Sequence, residues 1–210
     1  MRKLFYVALL CIIASCDNIQ QRLEEVDKIS YKADSCLLHG DHDRAIELYQ
    51  QALAGYQEIV ESNHPKVAET YQSIGFCYYV NYKHNEALEY YLKALTIYEK
   101  IKDPEAALLY TTIGNLCFDR NDDKSALDYF QKALSYWESI YKTASPDIAK
   151  ACYNIGRVYQ YRDEYDTATE YYQKASDNLT AFYGPEHPDA KTIQERIANM
   201  KTEKEQSAEQ

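Results

Sequence analysis

The sequence lacks several of the patterns that identify the commoner enzyme folds. No segment alternates apolar and polar residues with a period of two, which would indicate a half-buried β-strand. There is no glycine-rich phosphate-binding loop and no serine in a nucleophile elbow. No histidine and cysteine stand in a recognisable nucleophile setting. We therefore expect an all-α protein without enzyme activity.

The sequence also has fewer basic residues than acidic ones. The 210-residue chain has 23 Lys and Arg against 33 Asp and Glu, which gives a net charge of -10 at pH 7. Nucleic-acid binding rests on neutralising phosphates with basic side chains, so this balance argues against a nucleic-acid partner.

Long apolar runs are rare, and the clearest one stands at the amino terminus. It extends from Leu4 to Ile13 after two basic residues, and it is too short to cross a bilayer as a helix. A basic start followed by such a run is typical of a secretory signal peptide. The run ends in Ile13-Ala14-Ser15-Cys16.

These four residues resemble the bacterial lipobox. The resemblance implies cleavage before Cys16, acylation of Cys16 and attachment to a membrane in the bacterial cell envelope through acyl chains. Loss of residues 1–15 would change the net charge to -12. An ordinary signal peptide or anchor with a chance cysteine is the alternative. Asp17 leaves the choice between inner and outer membrane open.

The rest of the chain contains a repeat with fixed internal spacing. Ala45, Ala87, Ala126 and Ala168 are 42, 39 and 42 positions apart. Another alanine follows each of them by seven residues, and an aromatic residue follows each by four. Glycine or alanine precedes each of them by twelve residues. In copies two to four, the later alanines are Ala94, Ala133 and Ala175, the preceding glycines are Gly75, Gly114 and Gly156, and the aromatic residues are Tyr91, Phe130 and Tyr172. A repeat of this length predicts stacked helical hairpins.

The repeated glycines make a structural prediction of their own. Glycine inside a helix costs about 1 kcal/mol relative to alanine. Its return at one position indicates that a neighbouring helix approaches too closely for a side chain. The distance from Ala94 to Pro104 is shorter than the corresponding distances in the other copies, so one junction between hairpins is shortened.

The repeat resembles the tetratricopeptide repeat (TPR). Copy two carries Tyr71, Ile74-Gly75, Tyr78, Ala87, Tyr91 and Ala94 at the family's characteristic positions. The period near 42 resembles the long subclass found in kinesin light chains. The resemblance implies a right-handed superhelical solenoid. We expect a signal peptide at 1–15, a tether at 16–25, hairpins at 26–62, 63–103, 104–145 and 146–187, a capping helix at 188–203 and a disordered tail at 204–210.

Metal, cofactor and disulfide sites are weakly indicated. His39 and His42 are better explained as residues of a polar turn, and the segment from Asp119 to Asp123 lacks the later ligands of a calcium loop. We predict no metal and no cofactor. Cys36, Cys77, Cys117 and Cys152 allow disulfides in an oxidising compartment, but core packing explains their positions better.

The resemblance places the first helix of each hairpin on a concave groove. Helical periodicity puts a set of polar and aromatic residues on that face. The candidate binding residues are Phe76, Thr112, Asn115, Lys150, Asn154, Arg157, Tyr161 and Arg196. Asparagine and arginine can hydrogen-bond an extended peptide or a carboxylate. The face is acidic in the first two copies and basic in the last copy and the cap. An ordinary solvated helix face is the alternative.

Together these features predict a membrane-anchored, non-catalytic scaffold or adaptor that binds a protein or peptide segment in its groove. The alternative is a lipoprotein that binds a glycan or another small solute through exposed aromatic side chains.

Overall fold

The structure is a computed structural model that describes the backbone of residues 2–208 and the side chains of residues 18–200. Over this range the chain forms helices and turns, without a strand. The all-α prediction is therefore confirmed. The helices are α1 (Arg2–Leu38), α2 (His42–Ile59), α3 (Pro65–Val80), α4 (His84–Ile101), α5 (Glu105–Asp119), α6 (Asp123–Ile140), α7 (Pro146–Tyr161), α8 (Tyr165–Tyr183) and α9 (Pro188–Ala208).

The predicted signal peptide and lipidation site concern the amino-terminal part of α1. Cys16 lies outside the residues whose side chains are described, so its lipidation stays a prediction. Within the described part of the chain, no helix combines the length and apolar character needed to cross a bilayer. At the other end, α9 continues past the predicted end of the cap at 203 and reaches Ala208.

The helices divide into two compact units, Met1–Asp103 and Pro104–Gln210. The division falls at the shortened junction that the repeat spacing identifies. In the first unit α1 pairs with α2 and α3 with α4, and in the second α5 pairs with α6, α7 with α8 and α8 with α9.

The turn inside each hairpin has one conformation in all four copies. Its central residue has a positive φ: Gly40 (78°), Tyr82 (59°), Asn121 (59°) and Asp163 (59°). The next residue donates its N–H to a carbonyl five residues upstream at 2.9 Å in every copy, as Asp41 does to Cys36. This pairing is the Schellman arrangement that closes a helix end. The invariant hairpin turn therefore has a backbone cause.

The repeated glycines lie against the repeated aromatics of the second helices. A Cβ atom placed on Gly114 would lie 2.6 Å from Cε1 of Phe130, and one on Gly156 would lie 2.9 Å from Cδ1 of Tyr172. Contacts this short are not tolerated, so the close approach predicted from the sequence is confirmed. The glycine of one helix and the aromatic of its partner form a single packing element.

Each unit has its own hydrophobic core. The first contains Ala33, Ala45, Ile46, Leu48, Tyr49, Ile74 and Cys77. The second is built around Trp137, Ile148, Tyr172, Leu179, Ile193 and Met200. The first core thus packs the repeated residues Ala33 and Ala45 with Tyr49, and the second packs Ala168 and Ala175 with Tyr172.

The four described cysteines are free thiols. Cys77, Cys117 and Cys152 are buried, and Cys36 is partly buried. Burial raises the pKa of Cys77 and of Cys152 to about 11, which keeps both thiols protonated near neutral pH. Their environment fits the core-packing interpretation.

Candidate functional site

The second unit contains seven of the eight predicted groove residues. Thr112 and Asn115 lie on α5; Lys150, Asn154, Arg157 and Tyr161 lie on α7; Arg196 lies on α9. Phe76 belongs to the first unit, where its side chain is 44% exposed on α3. We call the surface formed by α5, α7 and α9 the α5–α7–α9 face.

Arg157 is the central cation of this face. Its guanidinium carbon lies 4.9 Å from the ring centroid of Phe118, a cation–π distance between α7 and α5. Its Nη1 donates to Oδ1 of Asn154 at 3.4 Å. The Arg157 side chain is thus held in place by an aromatic ring and by an amide.

Asn154 is buried, with only 5% of its surface exposed. Its Oδ1 accepts the bond from Arg157, but its buried Nδ2 has no hydrogen-bond partner among the described residues. A buried donor left unsatisfied costs about 1–3 kcal/mol. The α5–α7–α9 face therefore holds a donor that lacks an acceptor.

Tyr161 extends the same cluster toward the end of the helices. Its ring meets Phe118 edge-on, with centroids 5.5 Å apart and an angle of 77° between planes. Its hydroxyl donates to Oδ1 of Asn121 at 3.0 Å, yet the residue remains 58% exposed. An apolar ring surface is therefore available beside Arg157.

Arg196 forms a second cationic centre on α9. Its Nη1 donates to Oε1 of Gln160 at 3.2 Å, and Gln160 also accepts from the Tyr172 hydroxyl at 2.9 Å. The guanidinium lies 5.9 Å from the ring of Tyr153 and 5.8 Å from that of Tyr172. Burial raises the pKa of Tyr172 to about 12, although the charge of Arg196 opposes the rise.

The remaining three predicted residues on this face make few or no hydrogen bonds or ion pairs with other described side chains. Lys150 is exposed and has no hydrogen-bond or ion-pair partner among the described side chains. Asn115 is partly buried and likewise makes no described hydrogen bond. Thr112 donates its hydroxyl to the carbonyl of Leu108 at 3.1 Å within its own helix. The first two side chains keep their polar groups available for a ligand.

Sequence reasoning missed several residues of the site. Phe118, Asn121 and Gln160 each contact a predicted residue but were absent from the predicted set. Phe118 stands three residues after Asn115, a spacing that places both on one helical face. That periodicity is the signal that would have found it.

The first unit presents a different, acidic surface. Asp27, Asp34 and Glu69 line a cavity of about 200 Å³ together with Lys66. Asp27 accepts from the Tyr56 hydroxyl and pairs with the Lys66 ammonium. Asp34 accepts from the hydroxyl of Tyr49. These carboxylates are partly satisfied within the protein, which weakens the case for a ligand there.

The histidines of the first hairpin turn have protein partners. Nδ1 of His39 lies 2.7 Å from the carbonyl oxygen of Ser35, and Nδ1 of His42 lies 2.8 Å from Oδ1 of Asn81. Within the described range, no three His, Cys, Asp or Glu side chains are grouped so that they could hold a metal ion.

Comparison with known proteins assigns the chain to a protein family. The family profile of the tetratricopeptide repeat matches residues 28–100, 73–139 and 147–209, and the chain therefore belongs to the tetratricopeptide repeat family. No curated protein matches the sequence significantly.

Several solved structures have a fold similar to that of this chain. The chain is similar to a kinesin-light-chain-like protein of Podosopora anserina with nearly identical TPR-like repeats (TM-score 0.72, 17% identity, 89% of this chain and 90% of that one). It is also similar to BtubC (BKLC) from P. vanneervenii (TM-score 0.69, 23% identity, 78% of this chain and 66% of that one). The apo form of RapI matches with a TM-score of 0.73 at 19% identity, over 85% of this chain and 48% of that chain. The chain thus spans slightly less than two thirds of BtubC and about half of RapI, and these likenesses show the fold alone.

Proposed function

We propose that this TPR protein is a non-catalytic scaffold that binds an acidic peptide segment of a partner protein on its α5–α7–α9 face. The TPR fold suits protein–protein interaction, but the fold does not specify a partner. The observation that carries the proposal is the pairing of Asn154 and Arg157: a buried donor without an acceptor beside a guanidinium held in place.

The charges of the face support an acidic segment. Lys150, Arg157 and Arg196 project from two successive first helices of the second unit. A peptide carboxylate can form charge-assisted hydrogen bonds with a guanidinium, and these are stronger than neutral ones. A peptide carbonyl would supply the acceptor that Asn154 lacks. Because Nδ2 of Asn154 is covered in the unbound chain, we expect a side-chain rearrangement on binding.

A panel of synthetic peptides tests this proposal. The full chain is titrated with acidic, neutral and basic peptides of equal length and apolar content, and binding is followed by fluorescence anisotropy. We expect acidic peptides to bind best, with an affinity that falls as salt is added because exposed charges are screened. Binding of glycans with no peptide binding would instead favour the solute-binding alternative.

The double variant Asn154→Ala, Arg157→Ala locates the site. We expect it to lose peptide binding while its far-UV circular dichroism is unchanged. Lys174→Ala is a matched control, because Lys174 lies on α8 over the ring of Tyr171 and outside the face. Unaltered peptide binding by the double variant would reject the α5–α7–α9 face as the binding surface.

We also propose that the protein is anchored to a membrane of the bacterial envelope through acyl chains on Cys16. The lipobox-like sequence before Cys16 supports this. In cells fed labelled palmitate, the wild-type chain is expected to take up label and to sediment with membranes, whereas Cys16→Ser takes up none and is released. Equal labelling of the two chains would reject the anchor at Cys16.

A further inference from the structure

The second unit has a cavity that lies beside the α5–α7–α9 face. It encloses about 450 Å³ where the start of α7, the end of α8 and the start of α9 meet. Three buried apolar side chains, Ala149, Leu179 and Ile193, contribute to its lining. Tyr153 and Tyr183 add aromatic surface. This volume lies in the range of about 300–1,000 Å³ that is typical of small-molecule sites.

The polar residues of the cavity are few and incompletely paired. Lys150 lines it with an ammonium that has no ion-pair partner among the described side chains. The ring of His187 stacks on Tyr183 at 4.3 Å between centroids, and its buried Nδ1 has no hydrogen-bond partner among the residues that the structure describes. Oδ2 of Asp189 lies 4.0 Å from that nitrogen, beyond hydrogen-bond distance.

We propose that this cavity binds a small organic anion with one carboxylate and an apolar, preferably aromatic, body. The apolar lining gains by removing such a body from water, and the tyrosine rings favour an aromatic one. Lys150 supplies the complementary charge. Because Nδ1 of His187 is covered in the unbound chain, a second polar contact from this atom requires the ring to turn. The Asp189 carboxylate disfavours a second negative charge on the ligand.

The cavity shares Lys150 with the peptide face, where the ammonium adds to the positive charge, but the two sites differ in their other binding residues. A peptide on the α5–α7–α9 face is recognised by Asn154 and Arg157, neither of which lines the cavity. The inference therefore goes beyond the proposed function and does not depend on it.

Three probes of similar size but different charge test whether the charge of the ligand contributes to binding in the cavity. The full chain is titrated by calorimetry with 3-phenylpropionate, its neutral amide 3-phenylpropionamide and the cation 2-phenylethylamine. We expect the carboxylate to bind about tenfold more tightly than the amide, in line with a charged hydrogen bond, and the amine to bind most weakly. Methyl resonances of Leu179 and Ile193 should shift on binding.

Lys150→Gln should reduce the affinity for the carboxylate to that of the amide and leave the amide unchanged. Lys191→Gln is the matched control, since Lys191 lies on α9, pairs with Glu186 and does not line the cavity. Thr192→Trp places a large side chain at a lining position that is exposed, and it should abolish binding of both probes.

Equal affinity for all three probes, no binding of the carboxylate up to its solubility limit, or equal losses in Lys150→Gln and Lys191→Gln would overturn the proposal. The double variant Asn154→Ala, Arg157→Ala should still bind 3-phenylpropionate. Loss of peptide binding with retained probe binding thus shows that the cavity binds without Asn154 and Arg157, and failure of either titration leaves the other result interpretable.

Discussion

The guanidinium carbon of Arg157 lies 4.9 Å from the ring centroid of Phe118, so a cation on α7 is held against an aromatic ring on α5. A contact of this kind contributes about 0.5–1 kcal/mol when exposed. Holding the side chain in one place also lowers the entropy lost when a ligand binds. The pair therefore favours the acidic-peptide binding that we propose for the α5–α7–α9 face.

The first prediction follows from this pair. Phe118→Leu keeps an apolar side chain but removes the aromatic face, and it should weaken acidic-peptide binding about two- to fivefold. Fluorescence anisotropy with the best acidic peptide measures the change. Phe182→Leu, at an exposed aromatic near the end of α8, should have no effect. Binding as tight as in the wild-type chain would show that Phe118 does not position Arg157.

A second prediction concerns the packing of glycine against an aromatic. Gly114→Ala places a Cβ atom 2.6 Å from Cε1 of Phe130, and overpacking of this kind costs about 1–3 kcal/mol. Alanine favours a helix by about 1 kcal/mol over glycine, which offsets only part of that cost. Urea unfolding should therefore give a lower free energy of unfolding for the variant.

The double variant Gly114→Ala, Phe130→Leu tests the cause. If the lost stability comes from this one contact, the two substitutions will not be additive, and the alanine will cost less beside leucine. A stability equal to or above the wild type in Gly114→Ala alone would mean that the two helices can separate without cost.

The sequence predicts this packing because the repeat shows it several times. A glycine on the first helix and an aromatic on the second recur together at one spacing, and only a close contact explains the glycine. Periodicity also placed Arg157 and Tyr161 on one face of α7. Periodicity could not predict that Asn154 is 95% buried or that the Phe118 ring lies against Arg157. The helical period shows which face of its own helix a residue occupies, but it does not show which side chain of a neighbouring helix contacts that residue.

The hairpin turns were less completely predicted for a related reason. The repeat spacing is constant across the hairpin turns, but only copy one has glycine, Gly40, at the position with positive φ. Tyrosine, asparagine and aspartate occupy it in the other copies. Residue type alone therefore did not reveal the left-handed conformation.

The third prediction uses this position. Tyr82 has a φ of 59° and is 87% exposed, so its side chain gains little from burial while its backbone is strained. The left-handed conformation costs a residue with a Cβ about 1–2 kcal/mol. Tyr82→Gly should therefore raise the free energy of unfolding by about 1 kcal/mol, after allowance for the greater freedom of glycine in the unfolded chain.

Gly40→Ala is the reciprocal variant and should lower the free energy of unfolding by a similar amount, because no neighbouring atom would contact the new Cβ and only the φ of 78° opposes it. Chemical denaturation of both variants measures the pair of effects. Destabilisation by Tyr82→Gly would show that the contact of the Tyr82 ring with His84 outweighs the backbone strain.

The last prediction concerns the acid dependence of stability in the first unit. Burial alone would raise the pKa of Asp27, but hydrogen bonds from Lys66 and Tyr56, together with the charge of Lys66, outweigh it and lower the pKa below its ordinary value. A lowered pKa means that the folded state prefers the carboxylate. Its contribution is therefore present above the unfolded pKa, near 3.9, and is lost as the pH falls through the lower folded value.

Asp27→Asn should thus be less stable than the wild type at about pH 7, and the difference should shrink below about pH 4 as the wild-type carboxyl becomes protonated. Urea unfolding across this range measures the difference at each pH. Glu25→Gln, at an exposed acid on the same helix, is the control for the loss of one negative charge. A difference for Asp27→Asn that stays constant down to about pH 3 would mean that the ion pair with Lys66 does not stabilise the folded chain.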